Sequence, residues 1–214
     1  DKGFSAQGFV RLIRDALPPH RQHEVVGLVL ENSREHCKNP FDVQLGMKYP
    51  LTPEKEYLVN VCETICVNPE TGIPPNAQDC RQVLSRVIDI AFEANAEIDP
   101  VRYAPTLEPS VDAALDKTGI RHEYDAIWWQ KATWYEIRDL LFAKGEIRAA
   151  TRAHYQAMPE LSDLQVYLNS EDVRMQYGMI NREGSTESLL SYIGRCLSDA
   201  LSSYKMLAGR TVFK

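Results

Sequence analysis

The chain has 214 residues, 44% of them hydrophobic and 25% charged, with a formal net charge of −6. That length suits one sizeable domain or two small ones, and the composition excludes wholesale disorder. The charge is uneven. Residues 1–50 carry seven basic and six acidic groups, residues 51–119 five and twelve, and residues 120–214 twelve of each. An acidic middle third argues against general wrapping of nucleic acid, which needs surplus Lys and Arg.

The longest apolar run, Val25-Val26-Gly27-Leu28-Val29-Leu30, is far short of a membrane span. No basic-then-apolar signal segment opens the chain. It begins at Asp1 rather than Met, as it would after removal of a leader or tag. The cysteines Cys37, Cys62, Cys66, Cys80 and Cys196 are odd in number and lack the spacing of a dense disulfide scaffold. There is no Asn-x-Ser/Thr sequon either. Both features point to a reducing, intracellular compartment.

In chain order, Ser5 is placed to cap a first helix through Leu17, stopped by Pro18-Pro19. A second helix is expected to about Cys37, with Val25, Val29 and His36 on one face. Residues 40–51 read as an irregular connection. Thr52-Pro53-Glu54 then predicts a helix start, with Thr as N-cap, Pro in the first turn and an acid facing the positive helix end. Turn chemistry fills 68–76, and Asn76 is the expected cap of the next helix. There Cys80, Val83, Leu84, Val87, Ile90, Ala91 and Ala94 make an apolar stripe at helical spacing.

Residues 96–109 carry Pro100, Pro105 and Pro109 without a regular pattern. They are the place where a single domain of 1–214 would divide, into 1–95 and 110–214. A short helix precedes Gly119, and a Trp-rich helix runs from Tyr124 to about Lys144. Gly145 breaks or bends what continues as 146–158, and two short helices fill 160–180. A last long helix, starting at the 183–186 turn, carries Leu189, Ile193, Cys196, Leu197, Ala200, Tyr204 and Leu207 on one face until Gly209. The fold class is therefore all-α: an irregular bundle of about six to nine helices with proline-rich loops and extended terminal arms.

Cys62 and Cys66 stand at i and i+4, a spacing that could hold a metal with two further ligands. Their apolar neighbours favour buried, inert thiols, and no second paired motif supplies the other ligands. His20 and His23 fall at a polar helix start and His36 on an apolar face, and no Glu-x-x-His pair occurs. No metal or cofactor is expected. Gly-rich phosphate loops, nucleophile elbows and kinase-type sets are also missing, so no catalytic residue is assigned.

Three surfaces remain. On a continuous helix Ile127, Trp134, Ile137 and Leu141 share one side, widened by Tyr124, Trp128, Tyr135 and Phe142, while Trp129 and Leu140 lie away from it. Trp is enriched at interface hot spots. Trp129 and Leu140, with Phe4, Phe9, Val212 and Phe213 at the ends, are therefore candidate contacts to partner subunits, self or other. Lys144, Arg148 and Arg152 recur every four residues and would form a basic ridge for an acidic partner or for nucleic acid. His122 beside Trp128, Trp134 and Tyr135 would supply a ligand pocket or helical enzyme site. The leading expectation is a non-enzymatic structural or adaptor subunit of a larger protein assembly. A small-ligand binder and a coat-type nucleic-acid binder are the alternatives.

Overall fold

Helix α1, Lys2–Ala16, stops where Pro18 and Pro19 remove the donors for another turn. The computed structural model describes residues 2–25 and 31–212, with side chains from residue 8 in the first stretch. Its two compact units are Asp1–Glu31 and Asn32–Lys214. Within the first unit, the Arg14 guanidinium donates twice to the Val25 carbonyl, at 2.8 and 3.2 Å, closing the chain back onto α1.

The helix expected to reach Cys37 is absent from the described residues. Pro19–Glu24 and Arg34–His36 are separate tight 3-10 turns, and Val25 and Ser33 are extended; Val29 lies outside the described residues. The reason is competition from side chains. Ser33 Oγ pairs with His36 Nδ1 at 3.0 Å, and Asn32 donates to the Ser203 carbonyl at 2.6 Å.

The second unit contains α2 (Thr52–Ile65), α3 (Ala77–Glu93), α4 (Pro109–Lys117), α5 (Ala126–Lys131), α6 (Trp134–Ala143), α7 (Ile147–Ala157), α8 (Asp163–Leu168), α9 (Glu171–Tyr177) and α10 (Leu189–Ser203). Among the described residues there is no strand, only isolated bridges between Arg102 and Thr133 and between Asn181 and Ser188. The fold is all-α, and among the described residues eight of the ten α-helices have seven or more residues.

Helix α3 lies at the centre, against α2, α8, α9 and α10. With neighbours on several sides it buries more than the expected stripe: Ile88 and Phe92 are fully buried, while Ile90 is only partly so. Two caps differ from expectation. Thr52 is the first helical residue of α2 and Leu51 is the cap, and the Glu54 carboxylate takes the Leu51 N–H at 2.8 Å. Asn76 is left-handed (φ 46°), and its side chain accepts from the Glu183 N–H at 2.7 Å instead of capping α3.

The Trp-rich helix is two helices. Thr133 makes a capping box with Glu136, and the flanking backbone pairs with the 101–103 segment: Tyr103 N–H to the Ala132 carbonyl at 2.9 Å, Trp134 N–H to the Val101 carbonyl at 3.0 Å. The break resets the helical phase. Ile127 and Phe142, both expected in the core arc, are 64% and 52% exposed. Gly145, at φ +79°, reverses the chain so that α6 and α7 form a closely packed hairpin.

Helix α10 is shorter at both ends than expected. Residues 182–187 form a turn closed by Arg182 N–H to the Glu187 carbonyl, and Ser188 caps the helix by accepting from Ser191 N–H. At the other end Asn32 accepts from the Met206 N–H while binding the Ser203 carbonyl, which ends the helix before Tyr204. The following tail docks on its own chain. Thr211 is buried, accepts from Asn39 N–H at 2.9 Å and donates to Asp42 at 2.5 Å.

Candidate functional site

The tryptophans take three different environments. Trp134 is fully buried, with Tyr103 edge-on at 4.9 Å. Trp128 stacks on Tyr124 at 4.1 Å. Trp129 is half-buried between Trp128 at 5.0 Å and Tyr103 at 5.7 Å, with the Arg121 guanidinium 5.5 Å from its ring centre. Arg121 is itself fixed by Asp112 and Asp116, each at 2.6 Å, and by the Tyr103 hydroxyl at 3.1 Å. Trp129 is therefore engaged by its own chain on these sides. Leu140 is partly buried against the core.

The four residues of the expected aromatic pocket do not converge. His122 is exposed on a single turn, and Trp134 turns towards Tyr103. Tyr135 faces the guanidinium of Arg138 at 5.0 Å and the ammonium of Lys48 at 5.4 Å.

The basic ridge is interrupted because Gly145 separates Lys144, at the end of α6, from Arg148 and Arg152 on α7. Lys144 pairs with Glu123 at 2.7 Å and Arg152 with Glu108 at 2.8 Å. Arg148 is exposed. Of the twelve acids in residues 51–119, Glu56, Glu63, Asp89, Glu108, Asp112 and Asp116 are paired to cations of the same chain.

Of the terminal candidates, Phe9 is 65% exposed on α1, beside Leu12 at 71% and Ile13. The Phe4 side chain and Phe213 lie outside the described residues. Val212 is exposed, but its N–H is held by the Cys37 carbonyl at 3.0 Å.

Sequence reasoning did not foresee a cavity of about 690 Å³ between α2, α10 and the 67–69 turn, within the usual range for small-molecule sites. Val61, Ile65, Ala200 and Leu207 give it apolar walls, and Arg195 and Cys196 line it from α10. Tyr192 joins the two helices: its hydroxyl donates to the Cys66 carbonyl at 3.0 Å, and the guanidiniums of Arg182 and Arg195 lie 5.3 and 5.2 Å from its ring centre.

Cys62, Cys66 and Cys80 are fully buried, while Cys196 is only partly so. Hydrogen bonding with Cys66, and then with Tyr192, aided by the charge of Arg195, holds the Cys196 thiol down to about 7 against the opposing effects of burial and Asp199. The Cys66 thiol is pushed up by its hydrogen bonds with Cys196 and Cys80 and by burial. Among the described residues no group of three or more His, Cys, Asp or Glu is arranged to hold a metal. No sequence spacing links position 66 to position 196. The only local hint is that Tyr192 and Cys196 are one helical turn apart.

No family model, curated protein or solved structure matches the chain.

Proposed function

We propose that the chain is a non-enzymatic helical subunit of a protein assembly and that α1 carries the contact. One observation supports this most directly: Phe9 and Leu12 are 65% and 71% exposed on a single helix face. At 100° per residue, Leu12, Ala16, Phe9 and Ile13 fall within one arc, and Arg11 and Arg14 lie opposite. Anchors at i, i+3, i+4 and i+7 are the pattern by which an amphipathic helix enters an apolar partner surface. An apolar stripe is self-complementary, so the partner we assign is a second copy of the chain, paired through the same face.

The protein-contact reading draws less support from Trp129, which its own chain engages. The nucleic-acid reading is weakened because Lys144 and Arg152 are paired to carboxylates. The α1 proposal is tested by sedimentation of the full chain over a range of concentrations. The wild type should shift from one copy to two, and the double variant Phe9→Asp, Leu12→Asp should stay at one. A wild type that is monomeric throughout overturns the proposal. So does a monomer that sediments with anionic phosphatidylserine vesicles, which would assign the same face to a lipid surface.

A further inference from the structure

Three separate segments contribute thiols to one cluster, of which Cys196 lines the α2–α10 cavity. Cys66 closes the C-terminus of α2, Cys80 lies in the first turn of α3, and Cys196 lies in the middle of α10. The Cys66 carbonyl takes the hydroxyl of Tyr192, one turn before Cys196, at 3.0 Å, and the Cys66 thiol interacts with both of the others. Cys196 alone of the three is partly exposed, and it lines the cavity. A partly accessible thiol with a second thiol against it is the arrangement found in oxidation-sensitive cysteine pairs. We propose that Cys196 is a hydroperoxide-reactive thiol and that Cys66 resolves its oxidised form into an intramolecular disulfide.

The residues around the cavity divide the work. Arg195 brings positive charge next to Cys196, and the Tyr192 hydroxyl, bound to the Cys66 carbonyl, keeps the two chain segments together. Asp199 is the opposing charge on the same wall. In the first step the Cys196 thiolate attacks one peroxide oxygen, the O–O bond breaks, and the sulfenic acid forms as the departing alkoxide or hydroxide takes a proton. In the second step the Cys66 sulfur attacks the Cys196 sulfur, the S–O bond breaks, and the hydroxide leaves with the Cys66 proton as water. Two thiols are oxidised by two electrons in all, and the peroxide is reduced to water and an alcohol, or to two waters.

Cys66 stands at the very end of its helix. Its N–H is shared between the carbonyls of Cys62 at 3.2 Å and Glu63 at 3.0 Å, and the chain leaves the helix immediately afterwards. Cys37 has no such partner: its thiol donates to the Gly209 carbonyl at 3.2 Å and is pushed up by burial.

The test uses the full-length reduced protein, one equivalent of hydrogen peroxide or cumene hydroperoxide, and peptide mass mapping. The wild type should lose two hydrogens and yield a Cys66–Cys196 linked peptide. Cys66→Ser should instead accumulate sulfenic acid at Cys196, captured by dimedone, and Cys196→Ser should give neither product. Because Cys66 is fully buried, Cys66→Ala is a second variant should the serine unfold the chain. A rate measurement needs no variant: iodoacetamide should label Cys196 of the wild type at least tenfold faster than Cys37. A different linkage, oxidation first at another cysteine, or equal labelling of Cys37 and Cys196 overturns the proposal.

Discussion

Arg138 and His154 meet at 3.3 Å inside the α6–α7 hairpin, both almost wholly buried. The guanidinium donates to His154 Nδ1 and to the Met47 carbonyl at 3.2 Å, which leaves the His154 Nε2–H to donate to the Val43 carbonyl at 3.0 Å. Two helices and the irregular 40–51 connection are thus fastened by one neutral imidazole and one cation. Arg138→Met should cost about 1–3 kcal/mol in denaturant unfolding, since it leaves the buried His154 Nδ1 unsatisfied. A loss under 0.5 kcal/mol, roughly that of an ordinary surface change, would show that the network is not holding the connection.

The same pair predicts a pH dependence. Burial, with the positive charge of Arg138, draws His154 below its ordinary 6.5 despite the opposing bond to Val43. Below that pH the unfolded chain takes up a proton that the native imidazole resists. Stability from this group is therefore complete above about 6.5 and falls as the pH drops towards the folded value. His154→Gln should be less stable than wild type near pH 8 but should lose less on acidification, as urea unfolding at a series of pH values would show. An unchanged slope would mean that His154 is not the responsible group.

Asp42 acts in the opposite direction. Burial pushes its carboxyl up to about 6, although hydrogen bonds from Thr211 and Asn39 and the charges of Lys38 and Arg210 favour the ionised form. Between about 3.8 and 6 the native state holds the proton more tightly than the unfolded chain. This contribution is complete below the lower value and is lost as the pH rises through the upper one. Asp42→Asn keeps an acceptor for Thr211 without the buried charge. It should raise the melting temperature near pH 7 and leave it nearly unchanged near pH 4. A drop near pH 7 would show that the charge itself holds the tail.

Where local pattern and tertiary neighbours agree, the fold was legible. The Cys80–Ala91 stripe, the proline stops and the Thr52-Pro-Glu start each encode an element with no help from distant residues. The break at Ala132-Thr133 had a local signature too, since Thr133-Trp-Tyr-Glu136 is a capping box. Apolar spacing across it suggested continuity, and the partner that fixes the break, segment 101–103, is thirty positions away. The early end of α10 depends on Asn32, and the Cys66–Cys196 contact on two helices far apart in sequence. Neither relationship leaves a period in the chain. The shared face of Phe9, Leu12 and Ile13 is a local pattern, but that it is exposed is seen only in the structure.

Thr133→Ala tests the break itself. It removes the acceptor for the Glu136 N–H at 3.3 Å and the donor to the Glu136 carboxylate at 2.8 Å. The expected cost is about 1 kcal/mol, with the backbone pairing to Val101 and Tyr103 still holding α5 and α6 apart. Helical content by far-ultraviolet circular dichroism should stay level or fall slightly. A clear gain in helicity would mean that the cap, and not the pairing, prevents a continuous helix.

Trp129→Ala separates a stabilising ring from a binding one. The substitution removes contacts with Tyr103 and Trp128 and the face on which the Arg121 guanidinium sits, while Asp112 and Asp116 still anchor that arginine. Full burial would put the loss at about 3–5 kcal/mol. A half-buried ring with an exposed cation–π contact should lose about 2 kcal/mol. The melting temperature should therefore fall by several degrees, while the concentration dependence of the native mass should match that of wild type. Phe9→Asp, Leu12→Asp should give the reverse: an altered mass with the unfolding of residues 32–214 unchanged. If Trp129→Ala instead abolished association without lowering the melting temperature, the contact surface would belong to α5, on which Ile127 is also exposed, and α1 would lose its assigned role.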